Sequence, residues 1–390
     1  MDRASETRLP DRSDGTRRKI VHIVAHVSPD GRYGGPLRVA ADLAREQRAN
    51  GHDARLVATY EGYDKLPHEF QGVPLRAFPA RRITRQGYSG LFSVALIHHV
   101  LRARHATDVF HIHIARDSLT TVAALSLNLF KARFILQTHG MVEPGRGVLV
   151  SLFDRFALRP SARGARAVLV LTPTEQEHFA HLGTPSHRLS IQSNGIRLGT
   201  LLQNDRRTVL FLARLHPRKG ASEFASAAGR LAPDWPAVEF RIAGPDEGDG
   251  ARVHEAVLDA GSPKNLVVTG ALSPEDVPSE MANSLLYVLP AVGEPFGLTI
   301  LEALAQNTPV LIHKTAALAS VVEEARTGYV FGDPGLSLDD AIDQALRDPA
   351  ELAERGARGR QLAQSFTLAR VNDEVMAAYA FTPRTDRPDE

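Results

Sequence analysis

The sequence predicts an α/β fold made of two doubly wound, Rossmann-like domains facing a cleft between them. Three features of the 390-residue chain carry that reading. Short β-branched runs alternate with helix-like segments, the pattern of parallel sheets covered by helices. The alternation occurs twice, on either side of a short polar stretch at 197–207 that lacks periodicity. The length suits two domains of the usual size of about 100 to 200 residues.

In the first series, strands are predicted at 19–27, 54–59, 109–114, 133–138, 167–171 and 189–192, with a helix at 36–50 after the first strand. The second series places strands at 208–213, 238–243, 265–269, 285–289 and 309–312, again with helices between. In such folds ligands bind outside the carboxyl ends of the strands. Each unusual motif of this chain directly follows a predicted strand.

Composition narrows the class. The chain has no cysteine, which excludes disulfides and thiolate metal sites and is compatible with a reducing compartment. Residues 1–18 are polar and charged and lack an apolar core, so they read as a disordered tail and as neither signal peptide nor anchor. The apolar runs at 94–101 and 119–130 are too short or too interrupted for a membrane span. A cytoplasmic chain is expected.

The net charge of +1 hides an asymmetry. Residues 1–200 carry 28 Lys and Arg against 17 Asp and Glu, a net +11; residues 201–390 carry 18 against 28, a net −10. Arg81, Arg82, Arg85, Arg102 and Arg104 cluster without an acidic neighbour, and Arg155, Arg159, Arg163 and Arg166 follow. Such a face suits an anionic acceptor or the inner face of a membrane, at about 1 kcal/mol per basic residue near a charged bilayer. An ordinary solvated surface, or docking on the acidic half, is the alternative. No nucleic-acid module accompanies the arginines, so nucleic acid is not an expected partner.

The most informative segment runs from Leu289 to Ala305 and holds Glu294 and Glu302 around a Pro295-Phe296-Gly297 turn. Pro295 and Gly297 interrupt regular structure, while Leu298, Leu301, Glu302 and Ala305 have helical spacing. Glu294 therefore lies on a loop and Glu302 inside a helix. The helix start beneath Gly297 offers unpaired N–H groups and partial positive charge, a seat for phosphate. The plain alternative is a carboxylate favouring its own helix dipole, worth about 0.3 to 1 kcal/mol.

Gly34-Gly35, opening a helix after the first strand, lets backbone approach a ligand, although a plain turn needs the same residues. His139, in Thr138-His139-Gly140 at a strand's carboxyl end, is placed to bond a polar substrate. His111 and His113 share a strand face with no third ligand evident, and read as packing residues. Arg214 and Lys219 follow a strand, offering a fork and a mobile point charge that together suit a diphosphate.

These motifs occur in the order found in the retaining glycosyltransferases of family 4, which the chain resembles over about residues 19–380. The matching segments are Gly34-Gly35, Asp108 to His113, Thr138-His139-Gly140, Asn194-Gly195-Ile196, Arg214 with Lys219-Gly220, and Glu294 to Leu298 with Glu302-Ala303. The resemblance implies the two-domain fold of glycogen phosphorylase. It implies an acceptor-binding domain at 19–199, a donor-binding domain at 200–365 and a helix at 366–381 crossing back to the first. By the same resemblance, Arg214, Lys219 and the Gly297 and Leu298 amides hold a donor diphosphate, and Glu302 the ribose. Glu294 contacts the transferred sugar and His139 faces the reacting carbon. No metal or other cofactor is implied. Asn307 stands where the family has a glycine closing the helix, Ala316 to Ser320 replaces a frequent Gly-Gly-x-Pro-Glu segment, and Leu368 stands where tryptophan is common.

The expected activity is transfer of a hexose from a nucleotide diphosphate sugar to a glycan, lipid-linked or other anionic acceptor, in polysaccharide or glycolipid biosynthesis. A sugar-nucleotide epimerase and a noncatalytic sugar-nucleotide binding protein are the alternatives.

Overall fold

A computed structural model describes residues 17–28, 34–63, 66–82, 89–145, 147–202 and 206–380. Residues 1–18 of the expected tail lie mostly outside these, as do Arg85 and residue 381. Among the described residues the first strands are β1 (Lys19–Val27), β2 (Asp53–Tyr60), β3 (Glu69–Phe70), β4 (Val73–Pro79), β5 (Arg81–Arg82) and β6 (Leu91–Phe92). They continue with β7 (Val109–His113), β8 (Phe134–Gln137), β9 (Val168–Val170) and β10 (Leu189–Ile191). The later series is β11 (Thr208–Leu212), β12 (Glu239–Ala243), β13 (Leu266–Gly270), β14 (Ser284–Leu289), β15 (Val310–His313) and β16 (Gly328–Phe331).

Among the described residues these strands form two large sheets, both wound the same way, and a small antiparallel pair, β5 with β6. The first has the order β10-β9-β8-β7-β1-β2-β4-β3, with β3 antiparallel to β4 at one edge. The second has the order β13-β12-β11-β14-β15-β16 and is parallel throughout. In each, the chain builds outward from a central strand and then returns to that strand's other side, so strand order reverses between β1 and β7 and between β11 and β14. Such reversal points leave a crevice at the strands' carboxyl ends. The predicted doubly wound α/β architecture is present in both halves.

By internal packing the chain divides into two compact units, Met1–Gln137 with Leu152–Ala167, and Thr138–Ser151 with Val168–Glu390. In the first, Ile20, Ile23, Leu43, Leu56, Phe110 and Phe134 are fully buried. In the second, the core is built on Leu210, Phe211, Phe240, Tyr287, Val288, Ile300 and Leu304, with Phe211 and Phe224 rings 5.8 Å apart. Each such side chain contributes about 1.5 to 3 kcal/mol by leaving water. The turn after β8, with β9 and β10, belongs to the second unit. The helix Leu368–Ala380 docks there as well: Ile196 N–H donates to Phe366 O at 2.8 Å and Leu368 N–H to Ile196 O at 2.9 Å.

The structure also contains elements that sequence reasoning did not anticipate. No strand was expected at 73–79, yet β4 pairs in parallel with β2 over Leu75 to Pro79. Pro74 falls at the sheet's margin, opposite Glu69 of the two-residue β3, where a missing N–H is tolerated. The first helix begins at Gly34, two residues early. Asn307 takes φ +56° beyond the helix Leu298–Ala305, the left-handed closure expected of it.

Candidate active site

The second sheet's reversal point gathers most of the predicted site. Beyond β11, Leu215 N–H donates to Pro245 O at 2.8 Å, which fixes the start of the loop. A single 3₁₀ turn, Pro217–Lys219, follows, its start capped by His216 Nδ1 accepting from Arg218 N–H at 3.2 Å. Gly220 closes the turn at φ +75°, where a Cβ would lie 3.0 Å from Pro290 Cγ. The turn thus sits against the end of β14 and delivers Lys219 there.

Beyond β14, the Glu294 loop is held by the turn that follows β15. Gly293 N–H donates to Thr315 Oγ1 at 2.8 Å and Ala317 N–H to the Glu294 carbonyl at 2.9 Å. The segment that departs from the family pattern therefore anchors this loop. Gly297 adopts φ +74° at the start of the helix Leu298–Ala305, and no side chain caps that start. A Cβ at Gly297 would fall 2.6 Å from Ile300 Cδ1 and 3.2 Å from Glu294 Cγ, so only glycine fits.

Within this frame Lys219 Nζ lies 2.5 Å from Glu294 Oε2, with the side chains 22% and 8% exposed. Arg214 Nη1 lies 2.6 Å from Glu247 Oε2 on a more open surface. Both predicted cations therefore hold a carboxylate. Sequence reasoning missed Glu247, which follows β12, because the meeting of two loops leaves no spacing signal. Tyr287 of β14 is fully buried, its hydroxyl 3.1 Å from the Leu212 carbonyl and 2.6 Å from Thr299 Oγ1. Burial pushes its pKa far up against the Thr299 bond, and the charges of Glu294 and Glu302 add to the rise. It remains a protonated donor beneath the two glutamates. Glu302 itself is half-buried inside the helix, as expected.

His139 comes from a turn in the same compact unit. His139 and Gly140 take φ +57° and +76° in succession, an arrangement costly for a histidine. A Cβ on Gly140 would lie 2.5 Å from Pro295 Cβ, so this turn presses on the Glu294 loop. Burial lowers the His139 pKa to about 4 against a hydrogen bond with Asn194, and the imidazole is neutral at physiological pH. The turn is tied to Glu175, which is wholly buried and which sequence reasoning did not single out. Its signal was there: Thr172 and Glu175 have the spacing of a helix capping box. Gly34 and Gly35 belong to the first unit, and nothing lies within 4 Å of where a Gly35 Cβ would stand.

His111 and His113 are buried beside His22 of β1. His22 Nδ1 is 3.0 Å from His113 Nε2, and His22 Nε2 is 2.9 Å from Gln47 Oε1. The three ring nitrogens lie within 4.8 Å of one another, the grouping of a metal site. The rings, however, stack: His111 and His113 are 4.4 Å apart and inclined by 14°. Lone pairs lie in the ring planes, so two near-parallel rings do not converge on one ion. This is a hydrogen-bonded stack that keeps the first sheet packed.

Two doubly wound sheets with reversal points and charged loops at the strand ends are the architecture of the GT-B class of glycosyltransferase fold, which solved relatives share. Residues 34–195 match the family model described as the glycosyl transferase 4-like domain, and residues 196–362 that of glycosyl transferases group 1. The chain belongs to this family of GT4-type glycosyltransferases. It is 28% identical over 253 residues to an alpha-D-kanosaminyltransferase of Streptomyces kanamyceticus, covering 58% of this chain and 63% of that one. It is 24% identical over 383 residues to a GDP-mannose:cellobiosyl-diphosphopolyprenol alpha-mannosyltransferase of Xanthomonas campestris, covering 94% and 98%. The chain thus spans less than two thirds of the first relative and nearly all of the second. Its fold is similar to that of HepE of Anabaena in complex with UDP and glucose, with a TM-score of 0.74 at 19% identity over 93% of this chain and 100% of that one.

Proposed function

We propose that the chain transfers a hexose from a nucleotide diphosphate sugar to an acceptor hydroxyl, with retention at the anomeric carbon and without a metal. The observation that carries this reading is the Lys219–Glu294 pair at the second sheet's reversal point, beside the uncapped helix start at Gly297. An ammonium has three N–H groups. Lys219 is able to keep Glu294 and still offer donors to a diphosphate, while Glu294 accepts from sugar hydroxyls. Arg214 and the Gly297 and Leu298 amides complete the phosphate cradle, and Glu302 takes the ribose hydroxyls. Gly244 N–H, bonded to Gly270 O at 2.8 Å, joins the ends of β12 and β13, whose backbone is the part we assign to the base.

In the reaction, the bond from the anomeric carbon to the diphosphate oxygen breaks and one to the acceptor oxygen forms on the same face. The acceptor proton passes to the departing diphosphate, whose charge Arg214, Lys219 and the helix start stabilise. Neutral His139 faces the reacting carbon as a hydrogen-bonding group. Gly34 and Gly35 are assigned to the donor as a backbone approach at the start of a helix.

The acceptor is anionic in this reading, a lipid-linked sugar or a glycan met at the inner face of a membrane. The net +11 of residues 1–200 supports it, as do exposed Arg81 and Arg155 and the exposed apolar Leu149 and Phe156; Arg82, expected without an acidic neighbour, is instead paired with Glu61 at 2.6 Å. Among the described residues no helix is long and apolar enough to cross a membrane. Binding to anionic vesicles at low salt, weakened by neutralising Arg81 and Arg82, is the expected result, and vesicle binding indifferent to those changes would remove the membrane from the account.

Incubation with a panel of nucleotide sugars tests the activity. Acceptor-dependent release of the nucleotide diphosphate supports transfer. Isomerised sugar nucleotide formed from donor alone points to the epimerase instead, and tight donor binding without turnover to a binding protein.

A further inference from the structure

The Thr172 to Glu175 spacing calls for a reciprocal cap, yet only half of it forms. Thr172 Oγ1 accepts from Glu175 N–H at 3.2 Å at the start of the helix Pro173–His181. The Glu175 carboxylate reaches elsewhere. Oε2 accepts from Leu171 N–H at 2.8 Å, from the Thr138 hydroxyl at 2.6 Å and from Gly140 N–H at 3.3 Å. Oε1 accepts from Val142 N–H at 3.0 Å. Glu175 is 0% exposed, so this carboxylate is spent entirely on protein donors.

Three of those four donors flank His139 in sequence. They fix the chain on both sides of two consecutive left-handed residues, a conformation that persists only where surrounding bonds impose it. The same turn abuts Pro295, next to Glu294. Resting on the glycosyl-transfer reading, we propose that Glu175 is a positioning residue of the site: by seating the Thr138–Gly140 turn it sets the direction of His139, without touching substrate. A buried carboxylate suits this role because it accepts several bonds at once and donates none. A glutamine of the same shape presents an NH₂ group to donors that need an acceptor.

The test combines two readouts on the full-length chain carrying Glu175→Gln. Hydrogen exchange at the Gly140 and Val142 amides reports the turn whether or not the protein turns over any donor. Protection is expected to fall at those two amides while β11 and β14 keep theirs; unchanged protection overturns the proposal. Kinetically, kcat is expected to fall by about 10²-fold with little change in donor KM, the scale of an ångström's misplacement. A double-mutant cycle with His139→Ala then decides the route. If Glu175 acts through His139, the double variant is no slower than His139→Ala alone. Penalties that multiply show a merely structural carboxylate and overturn the proposal. A wild-type protein that turns over no nucleotide sugar sinks the functional reading instead, and the exchange result still settles whether Glu175 holds the turn.

Discussion

Lys219 Nζ and Glu294 Oε2 stand 2.5 Å apart beyond the carboxyl ends of the neighbouring strands β11 and β14. Glu294 is nearly buried, so removing its partner leaves a carboxylate with neither water nor counter-charge. Lys219→Ala is expected to cost about 1 to 3 kcal/mol in urea unfolding, and donor turnover is expected to fall about 10²-fold. Exchanging the two, with Lys219→Glu and Glu294→Lys together, should recover much of the stability and none of the turnover. Recovered turnover would show that the pair serves the fold alone.

Gly140 and Gly72 share φ +76°, but only Gly140 has a neighbour where a Cβ would stand. Gly72→Ala is expected to cost about 1 kcal/mol, the left-handed penalty alone. Gly140→Ala adds a clash with Pro295 and is expected to cost roughly 2 kcal/mol more. Equal losses in parallel denaturation curves would show that the turn does not press on the Glu294 loop.

Acid stability follows from three buried groups. Burial holds the pKa of His22 and of His139 at about 4 rather than 6.5, against bonds from Gln47 and Asn194. The unfolded chain therefore binds more protons between pH 6.5 and 4, and stability falls as pH drops through that window. Burial raises Asp117 to about 6 from 3.8, against its bonds with Thr120. Its contribution has the opposite sign, present below pH 3.8 and lost as pH rises through 6. From pH 7 to 5 the net loss from these three groups is expected to be roughly 2 kcal/mol. His22→Gln should flatten the dependence by more than half that amount; an unaltered slope would exclude His22 as a source.

Tyr287→Phe keeps the ring and removes the hydroxyl that bonds Leu212 and Thr299. A loss of about 1 to 2 kcal/mol is expected, because the Leu212 carbonyl is left buried without this donor. Calorimetry that finds no change would show that the hydroxyl contributes nothing net.

The strand alternation of the sequence foretold most of both sheets because buried strands must be apolar and short. It failed at β4, an ordered strand near the sheet margin that contains two residues disfavoured in strands, Pro74 and Pro79. The loop position of Glu294 and the helical position of Glu302 were legible from Pro295, Gly297 and the spacing that follows them. Partnerships were not. Nothing in one dimension tells Lys219 that it will meet Glu294, or Arg214 that Glu247 will lie across the next loop. Lys219 meets Glu294 because β14 returns to the other side of β11, and Arg214 meets Glu247 because β12 lies beside β11. Glu175 was legible as a cap, but its diversion to Thr138, Gly140 and Val142 depends on the nearness of the β8 turn. The alternation of His111 and His113 showed a shared face, while the third histidine came from the register of β1 against β7.

Donor turnover by wild type and Glu294→Ala, across the nucleotide-sugar panel and with an acceptor mixture present, bears most directly on the assignment. At least one nucleotide sugar should release its diphosphate with wild type in an acceptor-dependent way, and the variant should be slower on that donor by about 100-fold or more. Full activity in Glu294→Ala, or a wild-type protein that neither consumes nor is stabilised by any nucleotide sugar, would contradict the account.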